Sequence, residues 1–287
     1  MNLHLPPVYL SHGSPMTALE PGAAGRYFGD LGRTLVQAFG RPRTIVAVSA
    51  HTLTREPVLL AAPRHDAIHD FSGFDAALYE LRYDAAGAPE LAARTAELLR
   101  GASLPAHVLA EGGLDHGIWT PLRYAFPAAD VPIVPLGWPP DWAPARLFAL
   151  GRALAPLAAD GVWLMASGSI THNLRRLFAG GLGARVDAPQ TPESRAFRDW
   201  WAERAAVADW DALFDYRRQA PHAALMHPTD EHLLPFFVAA GAAGEGATGL
   251  RVHASQSYGD LGMDAYAFGP DAAKLADPPG GSERFDR

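Results

Sequence analysis

The sequence predicts an α/β fold: a single domain with a central, mostly parallel or mixed sheet and helices on both faces. Three observations lead there. Short apolar, β-branched runs alternate with Ala/Leu/Arg-rich stretches of helical period, the order that layered α/β domains require. Two of the runs, 44–49 and 162–166, are continuously apolar, as a strand covered on both faces must be. No linker-like composition divides the chain, and no internal repeat is present.

Taken in order, a first strand is expected at 8–10, leading into Ser11-His12-Gly13-Ser14-Pro15, with a helix at about 25–39. Strands at 44–49 and 58–60 follow, then an irregular segment, His69-Asp70-Phe71-Ser72-Gly73-Phe74. A helix is expected at 90–100 and a strand at 106–109. The glycine-bracketed loop 112–117 precedes a short helix at 120–125. Next come a strand at 131–136, a helix at 144–158, and the strand 162–166, which ends in Ser167-Gly168-Ser169-Ile170-Thr171-His172-Asn173. Helices at about 193–207 and 231–240 and a last strand at 250–255 complete a domain over 1–268. From 269 to 287 the chain is rich in Pro, Gly and Asp with little to bury, so a flexible C-terminal tail is expected.

Composition removes several classes of function. The 287 residues include no cysteine, which excludes a disulfide framework, an iron–sulfur cluster, a thiolate zinc site and a cysteine nucleophile. The 24 basic residues face 31 acidic ones, for a net charge of −7. With no basic run, nucleic acid is not an expected partner. Apolar stretches end well short of the ~20 residues a membrane helix needs, so no membrane partner is expected. The first seven residues lack a basic or apolar signal, and a cytoplasmic protein is expected. The chain carries 12 histidines. Any bound metal must be held by imidazole and carboxylate, which points to zinc, iron or manganese.

Three expected strands each deliver a histidine shortly past their last apolar residue: Leu10-Ser11-His12, Ser49-Ala50-His51, and Ala166 through His172. Ligands of open α/β sheets bind at the carboxyl ends of strands. If these strands are parallel neighbours, the three imidazoles meet at one edge. Small residues flank each of them, leaving the backbone free to turn and a ligand room to sit. In Leu114-Asp115-His116-Gly117 the carboxylate could orient the imidazole. In His227-Pro228-Thr229-Asp230-Glu231-His232, Thr229 or Asp230 suits a helix N-cap that places His232 in the first turn. Consecutive helical residues diverge by about 100°, so one of Glu231 and His232 is expected to be a ligand and the other not. His222 and His227 are expected to be solvated, and His4, His65, His107 and His253 structural.

The ordered set Leu10-Ser11-His12-Gly13-Ser14-Pro15-Met16, Ser49-Ala50-His51, His69-Asp70-Phe71 with Gly73-Phe74, Asp115-His116-Gly117 with Trp119, Ser167-Gly168 with His172-Asn173-Leu174, and Pro228-Thr229 with Glu231-His232 and Pro235 resembles the DOPA-type extradiol dioxygenases. These belong to the class III ring-cleavage superfamily, with the catalytic subunit of protocatechuate 4,5-dioxygenase. The resemblance spans residues 8 to 262 and makes 1–268 the catalytic domain. It implies a mononuclear metal site, Fe(II) for activity with Zn(II) also found there, and catechol and O2 as small-molecule partners of a monomer or small homo-oligomer. By motif, His12, His51 and His232 become the metal ligands. His172 becomes the catalytic base, with a place as a fourth ligand also open, and His116 a second catalytic histidine acting on oxygen. A near-physiological pKa for His172 would suit that task. Two positions depart from the family pattern: Thr52 where Trp is frequent, and Asp75 where Pro is. Both are expected to line the pocket and to bear on substrate identity. A 2-His-1-carboxylate site would instead favour Glu231 as third ligand, while the motif favours His232. Arg82, Arg175 and Tyr258 are candidates to meet a substrate carboxylate or ring. The same histidines on zinc would also serve a hydrolase, and a non-catalytic metal-binding or scaffold member would keep the same fold.

Overall fold

The structure, a computed structural model, describes residues 5–179, 185–244 and 246–276. In chain order the described strands are β1 (Val8–Ser11), β2 (Thr44–Ser49), β3 (Val58–Leu60), β4 (Arg64–His65), β5 (Ala85–Ala86), β6 (His107–Leu109), β7 (Ile133–Gly137), β8 (Val162–Gly168), β9 (Gly249–His253), β10 (Gln256–Ser257), β11 (Leu261–Gly262) and β12 (Ala265–Phe268). The α-helices are α1 (Gly22–Phe39), α2 (Ala76–Tyr79), α3 (Pro89–Gly101), α4 (His116–Ala125), α5 (Pro144–Leu154), α6 (Leu174–Ala179), α7 (Pro192–Ala206), α8 (Trp210–Phe214), α9 (Tyr216–Gln219), α10 (Ala223–Met226) and α11 (Pro235–Ala242).

One mixed sheet runs in the order β6-β3-β7-β2-β8-β1-β12-β9. Its centre, β7-β2-β8-β1, is parallel throughout. Toward the edges, β3 and β12 run antiparallel to their inner neighbours. Strand β8 pairs on both sides and is buried along its whole length, which accounts for its unbroken apolar run. Successive side chains of the central strands enter opposite cores. Tyr9, Val46, Val48, Leu164 and Ala166 face one core, closed by helices α3, α5, α7 and α11. Val8, Leu10, Ile45, Ala47, Trp163 and Met165 face the other, closed by α1 and α4. Helix α1 meets it with Phe28, Leu31 and Leu35, the spacing of one helical face.

Helix α11 is apolar all round and every residue in it is buried. It packs directly on α5 because glycines stand at the crossing. A Cβ on Gly151 would lie 2.0 Å from the Val238 carbonyl oxygen, and one on Gly241 2.0 Å from that of Phe148. This close seat holds the segment before α11 over the carboxyl edge of the sheet.

Several expected boundaries move. The helix expected at 120–125 begins at His116, with Asp115 in the extended cap position, because the loop before it turns at Gly112 and Gly113 and ends sooner. The helix expected at 231–240 begins at Pro235, whose missing N–H suits the first turn; residues 231–234 form turns. The stretch 144–158 stays α-helical only to Leu154 and continues as a 3-10 helix to Asp160. The last strand is β12, Ala265-Tyr266-Ala267-Phe268, beside β1. The expected tail is packed in its first part: Ala272–Leu275 form a 3-10 helix with Leu275 buried, and the Leu275 carbonyl accepts from Tyr27 Oη at 3.0 Å. The rest of that tail, 277–287, and His4 lie outside the described residues. Among the described residues no helix is long and apolar enough to cross a membrane.

Candidate metal centre

Strands β2, β8 and β1 are adjacent and parallel, so their carboxyl ends lie side by side. His12 follows β1 directly, and its N–H donates to the Gly168 carbonyl at the end of β8 (3.0 Å). His51 stands two residues past β2, where its N–H donates to Ser49 Oγ (3.2 Å). His172 stands four past β8, its N–H on the Met226 carbonyl (2.9 Å). Two loops bring further imidazoles to the same rim: His116 as the first residue of α4, and His232 in the turn before α11.

The five histidines share one cavity of about 680 Å3. The ring of His51 lies 5.0 Å from those of His12 and His232 and 4.1 Å from that of His116, centroid to centroid. His12 is 5.2 Å from His116 and 5.6 Å from His232. His172 stacks on His232 at 3.5 Å, nearly parallel. By ligand-atom distances, two groups could hold a metal ion: His12, His51 and His116, and His172, Glu231 and His232.

The hydrogen bonds around these rings decide which nitrogens are available. Ser167 Oγ donates its one hydrogen to the Gly117 carbonyl, so it must accept from His12 Nδ1 at 2.9 Å. That fixes the His12 tautomer and leaves Nε2 bare. His51 Nδ1 faces Asp70 Oδ2 at 3.4 Å, and its Nε2 points at His12 Nε2 from 3.1 Å. Two ring nitrogens turned toward each other at that distance need a cation or a proton between them. Burial first, and then neighbouring imidazoles, hold His12 well below the ordinary histidine range and His51 at about 3. Both rings are therefore neutral at neutral pH, the state a metal ligand must have. The donor set fits a metal ion, and the outer partners Ser167 and Asp70 orient it as supporting groups of metal-binding histidines do.

One carboxylate serves two rings. Asp70 Oδ1 accepts from both Nδ1 and the backbone N–H of His116, each at 2.9 Å, while Oδ2 faces His51. Burial alone would raise the Asp70 carboxyl, but the His116 contacts outweigh it and hold it below the usual range. Asp115, expected to orient His116, does not. It turns back to the end of β2 and accepts from Ser49 Oγ (2.7 Å) and Thr52 Oγ1 (2.5 Å), since neighbouring residues at a helix start diverge. Asp70 carries that task instead. Its place in the His69-Asp70-Phe71 motif was the available signal, but nothing local tied it to His116, 46 residues on.

Glu231 and His232 also depart from expectation. Because they lie in a turn and not a helix, the ~100° divergence of helical neighbours does not apply, and Glu231 Oε1 accepts from His232 Nδ1 at 3.1 Å. Burial would raise Glu231, yet His232 beside it holds the carboxyl at about 2. Asp230 is not a helix cap; it binds Tyr216 and Arg217. The His232 carbonyl accepts from Ser169 N (2.9 Å) and Tyr9 Oη (2.7 Å), which pins this turn to β8 and β1. A Cβ on Gly168 would lie 1.9 Å from that carbonyl oxygen. Gly168→Ala is therefore expected to cost about 1–3 kcal/mol, the usual penalty of overpacking. Thermal denaturation measures the loss; an unchanged Tm would show that the turn yields freely.

The remaining expected residues fall as follows. Tyr258 lines the cavity. Arg82 pairs with Asp84 at 3.6 Å, and Arg175 is exposed on α6; neither lines the cavity. Thr52 and Asp75 do not line it either. Thr52 is drawn to Asp115, and Asp75 caps α2 by accepting from Ala77 N at 2.8 Å. His222 is exposed, but His227 is fully buried with Nε2 on the Ile170 carbonyl at 2.9 Å. His65 and His253 are buried among hydrogen-bond partners, and His107 pairs with Glu56 at the surface.

An α/β sheet whose carboxyl edge gathers imidazoles around one cavity has the form of an enzyme site with donors that could hold a metal ion. The family model described as "Catalytic LigB subunit of aromatic ring-opening dioxygenase" matches residues 3–269. The chain is 34% identical over 91% of its length, and 95% of the relative's, to a "4,5-DOPA dioxygenase extradiol" of Beta vulgaris. It is 37% identical to one of the same name from Escherichia coli K12, over 83% of this chain and 85% of the relative. The crystal structure of an uncharacterised protein from E. coli K12 matches 92% of this chain and 99% of its own, with a TM-score of 0.74 at 31% identity. The chain belongs to the LigB family of aromatic ring-opening dioxygenases. It is an extradiol-type ring-cleaving oxidoreductase, and cleavage of a catechol by O2 fits the family.

Proposed function

We propose that this enzyme binds Fe(II) through His12, His51 and His232 and opens the ring of a DOPA-like or otherwise substituted catechol, with His172 and His116 acting on the reactants. The observation that carries this reading is that the Nε2 atoms of His12 and His51 face each other at 3.1 Å, with further imidazoles from β8 and two loops around them. Imidazole donors without thiolate suit iron, and the same donors would also take zinc. When bound, the metal acidifies a catechol hydroxyl and holds catechol and O2 side by side.

The residues divide the remaining work. His172 lies at the cavity wall against His232, and burial, then the His232 imidazole, pushes it to about 2. That is far below the near-physiological value expected from the sequence. His172 therefore stands neutral, with a ring nitrogen able to accept a hydrogen bond from a catechol hydroxyl. Held near 2 it is too weak a base to keep that proton, so it relays the proton as the hydroxyl is acidified. His116 opens the ten-residue helix α4, where the helix dipole places positive potential. Its Nδ1 donates to Asp70 Oδ1, which holds the ring there. Nε2 is thus left to accept a hydrogen bond from a reactant, or to donate to one carrying negative charge once it has taken up a proton. A second reading makes His116 the third ligand, since it groups with His12 and His51 by distance.

Anaerobic loading with Fe(II), followed by O2 uptake with a panel of catechols and appearance of a yellow ring-opened product, tests the activity. Amide or ester cleavage by the zinc form with no O2 uptake by the iron form would favour a hydrolase. Failure to bind any divalent metal would favour a scaffold role. Asp70→Asn is expected to weaken metal binding about 10–100-fold, as loss of an outer carboxylate does elsewhere. Metal titration checks this, and an unchanged affinity would remove Asp70 from the site.

A further inference from the structure

We infer that the catechol this enzyme takes carries a bulky, uncharged, apolar substituent. This rests on the ring-opening reading above and narrows it to the otherwise substituted catechols, setting aside the charged side chain of DOPA. The cavity of about 680 Å3 lies within the size range of pockets that enclose whole organic ligands and leaves ample room beyond the ring at the histidines. Its walls away from them are mostly apolar, with Met16, Phe71, Phe74, Leu174, Leu177 and Val186, and their polar side chains, Ser14, Ser72 and Tyr258, are uncharged hydroxyls. Phe71 stands edge-on to His116 at 5.6 Å and to Phe74 at 5.5 Å, so an aromatic surface runs outward from the reacting end.

Among the described residues lining the cavity there is no Lys, Arg, Asp or Glu. Arg175, beside Leu174, is exposed and does not line the cavity, and two further cations near it are paired. Arg176 pairs with Asp260 at 2.5 Å, and Arg185, next to Val186, is turned to solvent on Asp187 at 2.7 Å. The carboxylates nearest the histidines, Asp70 and Glu231, are taken up by His116 and His232 and offer a substituent carboxylate no donor. A substituent carboxylate would lose its hydration against apolar walls without gaining a cation, which costs far more than burying a methyl group gains.

The test compares 4-butylcatechol with 3-(3,4-dihydroxyphenyl)propanoate, which differ mainly in replacing an alkyl end by a carboxylate. Binding to the iron-loaded enzyme is measured under strict exclusion of O2, by calorimetry or tryptophan fluorescence, so no turnover is needed. The neutral ligand is expected to bind at least about tenfold more tightly. Leu174→Arg, at a wall position that is 47% exposed and so tolerates charge, is expected to narrow or invert that ratio. Equal or tighter binding of the propanoate to the unaltered enzyme overturns the inference, as does a ratio that Leu174→Arg leaves unchanged. If neither compound nor unsubstituted catechol binds, the catechol reading itself falls and this inference with it. If unsubstituted catechol alone binds, the reading stands and only the inference falls.

Discussion

His51→Ala and His12→Ala proteins are expected to fold and to take up no stoichiometric iron. Each supplies one of two Nε2 atoms that face each other at 3.1 Å, and each is fixed there by the end of its own sheet strand. The loss should far exceed the ~10–100-fold that removing an outer partner costs. Metal analysis after anaerobic loading reads occupancy directly. Thermal denaturation supplies a second readout: at metal 100-fold above its Kd the unaltered protein gains about 2.7 kcal/mol, a gain the variants should lack. Full occupancy in both variants would refute the assignment. The same assay on His232→Ala and His116→Ala separates the two readings of the third ligand, because only the true ligand's loss should empty the site.

His172→Ala is expected to retain metal and lose about 10²–10⁴-fold in kcat, the usual range for removing a group that moves a proton in the reaction. His116→Ala should behave similarly if its ring acts on the reactants and not as a ligand. Occupancy and turnover measured on the same preparations decide it. A His172→Ala enzyme with full metal and undiminished kcat would remove His172 from the chemistry. A metal-free one would make it the fourth ligand.

Much of this site was legible because three histidines occupy the same position relative to three apolar runs. His12, His51 and His172 follow β1, β2 and β8, and the periodicity of those runs located the strands almost to the residue. What the runs could not say is that β8 lies between β2 and β1; that order comes from pairing between segments more than a hundred residues apart. The reading failed where a local rule was applied to a segment whose conformation is set elsewhere. Residues 231–234 were assigned to a helix, yet the turn is held by Tyr9 and Ser169 through the His232 carbonyl, and Glu231 thereby meets His232. Asp115 was paired with its neighbour His116, but the carboxylate that reaches that ring is Asp70, from a separate loop. The tail after Gly269 lacks apolar runs, yet buried Ala272 and Leu275, and the Leu275 carbonyl on Tyr27 Oη, dock its first part beside α1.

By itself the sequence determined the α/β class, the histidines that end the strands, the absence of thiolate chemistry and, through ordered motifs, the family. Periodicity and residue chemistry are local, and the chain carries them in full. Only the tertiary structure decided which carboxylate orients which imidazole, that the Nε2 atoms of His12 and His51 face each other, and that no charged side chain among the described residues lines the cavity. Those outcomes depend on distances between residues remote in the chain, which strand order and the close seat of α11 on α5 fix.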